Sequence, residues 1–192
     1  QTVEVGFVVE ETAITDDELV FLIEINNGLF VKTDTLRKRY IAGEITNIFA
    51  DNGANTSLWE MDNSWGTSNT TYFSAPSSYT DSPNRDYRAN RRSNMTLKEP
   101  IDLVGAEKAF LSYKARREIE KGYDYVQLLI SEDGNTFEPL CGKYTSLGTA
   151  DQARDEPLYD GLQIEWVQEN IEFTDYLGKS VWILFQFDSD QF

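Results

Sequence analysis

The sequence predicts an all-β protein built as an antiparallel β-sandwich. Three observations predict it. Apolar residues recur mainly with a period of two, no stretch sustains the 3.6-residue period of an amphipathic helix, and turn-forming clusters separate the alternating runs. Aromatics make up 13% of the 192 residues, which suits pleated, half-buried surfaces.

The elements follow in order. Residues 3–9 and 18–25 alternate as strands, and Asn26-Asn27-Gly28 supplies the left-handed-tolerant residues of a tight turn. Residues 29–41 continue as one strand or two. Residues 1–43 therefore form a small β unit, or the last strands of a domain whose beginning lies outside. A second region, 44–192, opens with a short apolar strand at 45–49. Residues 50–95 are rich in Asn, Ser, Thr, Asp and Gly, which reads as loop. Trp59, Trp65, Tyr72, Phe73, Tyr79 and Tyr87 are interleaved there, so these loops pack on something.

Strands become regular beyond residue 94, at 95–98 and 101–103. In 108–116, Ala109, Leu111, Tyr113 and Ala115 share one face, with Phe110 and Ser112 on the other. Residues 123–131 form the strongest strand and run into Glu132-Asp133-Gly134-Asn135, a hairpin turn, and then 136–140. An excursion at 142–161 precedes two last strands, 163–173 and 181–187, joined by a single helical turn at 174–179. Strands at this spacing, without alternating helices, form a sandwich.

The formal net charge is −16. That sign opposes phosphate-backbone binding and docking on anionic lipid, so no nucleic acid is expected as a partner. The charge is uneven: residues 1–81 carry −9, residues 82–121 carry +4 and residues 122–192 carry −11. The basic stretch is expected to lie against acidic neighbours. No apolar run reaches the roughly 18–20 residues of a membrane span. Gln1 opens directly in a strand-like run with no signal peptide, as in an excised or processed fragment.

There is no histidine and one cysteine, Cys141. Histidine zinc sites, Ser-His-Asp triads, Cys-His dyads and thiolate zinc sites are excluded, as is an intrachain disulfide. No glycine-rich phosphate loop occurs. A carboxylate pair for glycoside hydrolysis stays open, but 33 acidic residues make some such pair inevitable. Calcium is a better use of so many carboxylates. Candidate donors lie in Asp51-Asn52-Gly53, Glu60-Met61-Asp62-Asn63, Asp81-Ser82 and Asp188-Ser189-Asp190, and none follows the consecutive EF-hand pattern. Trp59, Trp65, Tyr72 and Tyr79 are candidate ligand contacts, whose ring faces could stack on sugars. The competing expectation is that they plug the ends of the sandwich. Trp166 and Trp182 lie on strands and are expected in or near the core. Cys141 is expected to be buried and inert.

An ordered series of blocks carries a family resemblance. It runs Trp65-Gly66-Thr67, then Ser74-Ala75-Pro76-Ser77-Ser78-Tyr79-Thr80-Asp81-Ser82-Pro83 with Tyr87, then Ile101-Asp102-Leu103 and Ala109-Phe110-Leu111-Ser112-Tyr113. The most specific block is Ile119-Glu120-Lys121-Gly122-Tyr123-Asp124-Tyr125-Val126-Gln127, closing on Ile130-Ser131-Glu132-Asp133-Gly134. Tyr159-Asp160-Gly161, Trp166-Val167 and Asp175-Tyr176-Leu177-Gly178-Lys179 complete it. Residues 44–190 thereby resemble the C-terminal β-sandwich of secreted bacterial zinc carboxypeptidases of the carboxypeptidase T type. That region is similar to the accessory domain of immune inhibitor A metallopeptidases, a jelly-roll module of the MAM-like kind.

The resemblance implies a jelly-roll sandwich preceded by the end of an Ig-like β unit at 1–43. It implies a non-catalytic module of an extracellular, cell-surface or periplasmic peptidase whose catalytic domain lies outside this chain. Expected partners are that catalytic domain, a protein substrate or a cell-surface glycan. No cofactor is implied for the chain itself beyond a candidate structural calcium. Such modules usually end with one more strand after a Gly- and Asp-rich turn, whereas this sequence stops at Phe192. The alternative function is carbohydrate binding through the loop aromatics.

Overall fold

The structure, a computed structural model, describes residues 18–26, 28–39, 46–62 and 64–191. The chain divides into two compact units, 1–47 and 48–192. In the first, β1 (Glu18–Asn26) pairs antiparallel with β2 (Val31–Arg39). Their turn contains Gly28 at φ +87°, a conformation glycine adopts without strain, and its N–H donates to Asn26 Oδ1 at 2.8 Å. The run expected at 3–9, and with it the Ig-like character of 1–43, lies outside the described residues.

The second unit holds twelve strands among its described residues. They are β3 (Trp59–Met61), β4 (Gly66–Ser68), β5 (Ser78–Thr80), β6 (Arg91–Leu97), β7 (Ile101–Asp102), β8 (Phe110–Glu118), β9 (Tyr125–Ser131), β10 (Glu138–Pro139), β11 (Ser146–Leu147), β12 (Pro157–Leu158), β13 (Leu162–Glu172) and β14 (Ser180–Ser189). A single 3₁₀ turn at Thr174–Tyr176 separates β13 from β14, where the sequence predicts a helical turn. The fold is all-β, as the period of two predicts, and its named strands pair antiparallel.

One layer is the sheet ordered β10-β9-β14-β6-β3, with β7 also paired to β14. The latest of the described strands thus occupies the centre: Phe185 lies between Met95 of β6 and Leu128 of β9. The second layer contains the long β8–β13 pair. Between the layers, Met95, Leu97, Leu128, Ile130, Val181 and Ile183 of the first sheet join Ile171 and Phe173 in one buried cluster, with Leu111 and Tyr113 of β8 packed against it. Alternation places them there: Ser93, Met95 and Leu97 are the buried row of β6, and Phe110 and Ser112 face outward from β8 as predicted. The remaining two-stranded sheets are β4–β5 and β11–β12.

Three expectations are corrected. Residues 46–50 form no strand; Phe49 instead presents an edge to Trp59, with ring centroids 6.3 Å apart. Residues 50–95 are not one loop, since short runs within them pair as β3, β4, β5 and the start of β6. Cys141 is exposed, because it directly follows the last buried residue of the β10 edge, Leu140. Trp182 is half-buried, packed over Gly134, and Trp166 is half-buried against Phe73.

Candidate functional site

Three polar constellations stand out in the second unit. The first gathers two of the sequence-predicted aromatics. Trp59 is only 7% exposed, with Phe49, Tyr79 and Phe185 around its ring. Its indole N–H donates to Asp51 Oδ2 at 2.6 Å, and the Tyr79 hydroxyl lies 2.7 Å from the same oxygen and from the Asn55 carbonyl. Asp51 Oδ1 accepts the Gly53 N–H at 2.9 Å. Burial, then the hydrogen bond to Asp51, pushes the Tyr79 phenol well above its ordinary pKa. Both Asp51 oxygens are therefore engaged in tying the 51–59 loop to the sheet. Trp59 offers no free ring face, so the stacking expectation fails at this residue. Trp65 is half-buried against the core and Tyr79 is engaged as described. Tyr72 is 42% exposed, next to Phe73 at 56%. The structure thus joins Trp59 with Tyr79 and leaves Tyr72 apart.

The second constellation is a buried carboxylate. Glu169 on β13 is 1% exposed. It accepts the backbone N–H of Lys143 at 2.6 Å and of Tyr144 at 3.3 Å, and the Tyr159 hydroxyl at 3.3 Å. Tyr113 and Tyr159 hydroxyls are 2.9 Å apart, and burial raises both phenols above their usual range. Gly142 is required beside them: a Cβ there would sit 2.6 Å from the Tyr159 oxygen and 2.9 Å from the Glu169 carboxyl carbon. Every oxygen of this carboxylate faces a donor, so it anchors the 142–161 excursion to the second sheet rather than offering a reactive group.

The third is a cavity of about 550 Å³ bounded by the segment between β5 and β6. Asp62, Ser64, Asp81, Ser93 and Phe187 line it, together with Arg85, Arg88, Arg91 and Arg92. Its walls are fixed by named contacts. Asp62 Oδ2 accepts the Asn94 N–H at 2.8 Å, anchoring β3's exit to β6. Tyr87 packs edge-on against Phe187 at 4.9 Å, and Ser189 Oγ donates to the Arg88 carbonyl at 2.7 Å. Asn90 turns the chain at φ +55°, within the αL region that asparagine tolerates better than most residues.

Arg92 pairs with Asp188 at 2.5 Å, which is the acidic neighbour the charge distribution anticipates. Burial raises the Asp81 carboxyl above its ordinary pKa. Of the four predicted calcium-donor segments, the structure brings Asp62 of one and Asp81-Ser82 of another together at this cavity. Asp51 is occupied elsewhere, and Asp188 holds Arg92. Ser64 and Ser93 were not singled out by sequence reasoning; their only signal was alternation into β6 for Ser93. Among the described residues no group of three or more His, Cys, Asp or Glu side chains is placed to hold a metal ion. No helix among them is long and apolar enough to cross a membrane.

No protein-family model matches the chain. A stretch of 94 residues, 49% of the chain, is 26% identical to the pre-pro-metalloprotease PrtV of Vibrio cholerae serotype O1, in both strain M66-2 and strain ATCC 39315 / El Tor Inaba N16961. The matched stretch amounts to 10% of that protein's length. The chain is thus similar to a small segment of a metalloprotease precursor.

Proposed function

We propose that this chain is a non-catalytic accessory module of a secreted zinc metallopeptidase, of the carboxypeptidase T type, whose catalytic domain lies elsewhere in the same protein. The similarity to a segment of a pre-pro-metalloprotease carries this reading. The absence of histidine supports it, because zinc peptidases build their catalytic metal site from imidazole and carboxylate ligands. The buried polar groups around Asp51 and Glu169 support it as well, since their hydrogen bonds pin loops to sheets. A rigid sandwich so built holds its loops out for a partner: the catalytic domain, a protein substrate or a cell-surface glycan. Its working compartment is then extracellular, cell-surface or periplasmic.

Deletion of residues 48–192 from the full-length protein tests the proposal. Turnover of a short peptide substrate stays within about twofold of the intact enzyme, while yield of folded enzyme or cleavage of whole-protein substrates falls. Loss of kcat on the short peptide with the catalytic domain still folded would overturn it. The exposed Tyr72–Phe73 pair supports the alternative reading, carbohydrate binding. A glycan panel probed with the chain and with Tyr72→Ala separates the two.

A further inference from the structure

Among the described residues, four buried side-chain polar atoms lack a hydrogen-bond partner: Ser64 Oγ, Trp65 Nε1, Asp81 Oδ2 and Ser93 Oγ. Ser64, Asp81 and Ser93 line the cavity bounded by the segment between β5 and β6, and Trp65 does not. Ser93 is 4% exposed, so its hydroxyl cannot turn to bulk water. Buried polar groups are almost always satisfied, and three open ones at one cavity mark it as a place for a polar ligand.

The charge of the walls decides the kind of ligand. Arg85, Arg88, Arg91 and Arg92 all line the cavity. Arg92 is held by Asp188 at 2.5 Å, whereas Arg85, Arg88 and Arg91 are exposed and form no ion pair among the described residues. The backbone that carries them is anchored. The Tyr87 ring packs on Phe187 at 4.9 Å, the Tyr87 hydroxyl accepts the Glu120 N–H at 3.2 Å, and Ser189 Oγ donates to the Arg88 carbonyl at 2.7 Å. Three unspent guanidinium groups on an anchored segment favour carboxylate or phosphate oxygens, which match their planar fork. Burial favours the protonated form of Asp81, which then donates alongside Ser64 and Ser93 instead of repelling an anion.

Two further features favour a peptide carboxylate over phosphate. Asp62 and Asp86 also line the cavity, and both are exposed. A ligand made only of acceptor oxygens leaves them opposed. A peptide brings backbone N–H groups to them and side-chain carboxylates to the arginines. Charge acts at longer range as well. Residues 82–121 carry +4 within a chain of net −16, so an extended polyanion meets repulsion beyond the patch and a short acidic segment does not. The volume, about 550 Å³, lies within the roughly 300–1,000 Å³ of ligand pockets.

We propose that this cavity binds a short acidic peptide segment of a protein partner, with Arg85, Arg88 and Arg91 taking its carboxylates and Ser64 and Ser93 its carbonyl oxygens. The proposal rests on the accessory-module reading for the source of that segment, and it gives that reading a recognition chemistry.

The test uses the whole 192-residue chain. The probe is a fluorescein-labelled octapeptide of alternating Glu and Gly, blocked at its other end, read by fluorescence anisotropy at low salt. The Glu peptide binds, and its Gln counterpart binds at least about tenfold more weakly. Arg88→Gln, at an exposed side chain, weakens binding by about threefold or more, and adding Arg91→Gln brings the loss to about tenfold or more. Ser93→Ala weakens it by about threefold. Lys121→Gln removes one charge from the basic stretch outside the cavity and stays within about twofold of the wild type. Absence of binding by the Glu peptide overturns the proposal. So does an equal loss in Lys121→Gln and Arg88→Gln, which would mean diffuse charge, or displacement of the peptide by millimolar inorganic phosphate, which would mean a simple anion site. Each of these leaves the accessory-module reading standing, since that rests on the sequence comparison and fails separately, by loss of short-peptide turnover in the 48–192 deletion.

Discussion

Replacing Glu169 by leucine tests whether the buried carboxylate fastens the 142–161 excursion to the second sheet. Leucine is close in size and keeps the site filled, so the change isolates hydrogen bonding from packing. The carboxylate accepts two backbone N–H groups, of Lys143 and Tyr144, and the Tyr159 hydroxyl. The phenol has a second partner in Tyr113 and recovers part of its loss. The two N–H groups have no other hydrogen bond and sit under a residue 1% exposed. Each orphaned donor costs about 1–3 kcal/mol, so Glu169→Leu is expected to destabilise the sandwich by about 2–6 kcal/mol. Glu169→Gln keeps one acceptor oxygen and should lose about half as much. Urea unfolding followed by tryptophan fluorescence measures both. A double-mutant cycle with Tyr159→Phe should give a coupling of about 0.5–3 kcal/mol, since the two side chains share a hydrogen bond. A loss below about 1 kcal/mol for Glu169→Leu, with unchanged m-value, would refute the anchoring role.

Other outcomes follow from the same geometry. Gly142→Ala drives a Cβ into Tyr159 and Glu169, both held by their own hydrogen bonds, and should cost at least about 1–3 kcal/mol in the same urea assay. Trp59→Phe keeps an aromatic ring in the core but drops the bond to Asp51, for a loss of about 0.5–3 kcal/mol, whereas Asp51→Ala strands the indole, the Tyr79 hydroxyl and the Gly53 N–H and should cost more. Asp133 accepts the backbone N–H groups of Thr136 and Asn135 and the Ser131 hydroxyl, which lower its carboxyl to about 2. Its contribution to stability is therefore present above the ordinary carboxylate pKa and fades as pH falls toward about 2; a carboxyl-carbon NMR titration should show that midpoint, moved upward in Ser131→Ala. Native protein should release one equivalent of chromophore with a thiol reagent, without denaturant, through exposed Cys141.

The strands were legible because alternation is local. Residues 108–116 and 181–187 announce their buried faces within a few positions, and the 132–135 turn carries its own Asp and Gly. What pairs with what was not legible. Nothing near Leu111 says that Ile171 lies opposite it, sixty positions on. Trp59 shows the same limit. Its polar stretch leaves a stacking face and a plug of the sandwich end both open, and only the fold brings Asp51 and Tyr79 round to meet it. For the cavity, carboxylate richness picked out Asp62 and Asp81 among other acidic segments, and only the fold brings these two to one space. It gave no hint of Ser64 and Ser93, since serine is common in loops and strand ends and becomes informative only once its hydroxyl is found sealed and unpaired. Cys141 failed for a subtler reason: thiols are usually buried, and one position past a buried strand end is enough to reverse that.

The central place of β14 in its sheet bears on how this protein is made. Its neighbours β6 and β9 leave the ribosome well before it, and each must wait with an unpaired edge until residues 180–189 arrive between them. Pairings across some ninety residues close late and carry a high loop-closure cost, so folding of this sheet should be slow and gated by completion of β14. A nascent chain stopped short of Ser180 leaves the β9–β10 and β3–β6 pairs of its main sheet unjoined. Until β14 is made the two half-sheets stay apart, and products truncated before it present unpaired strand edges.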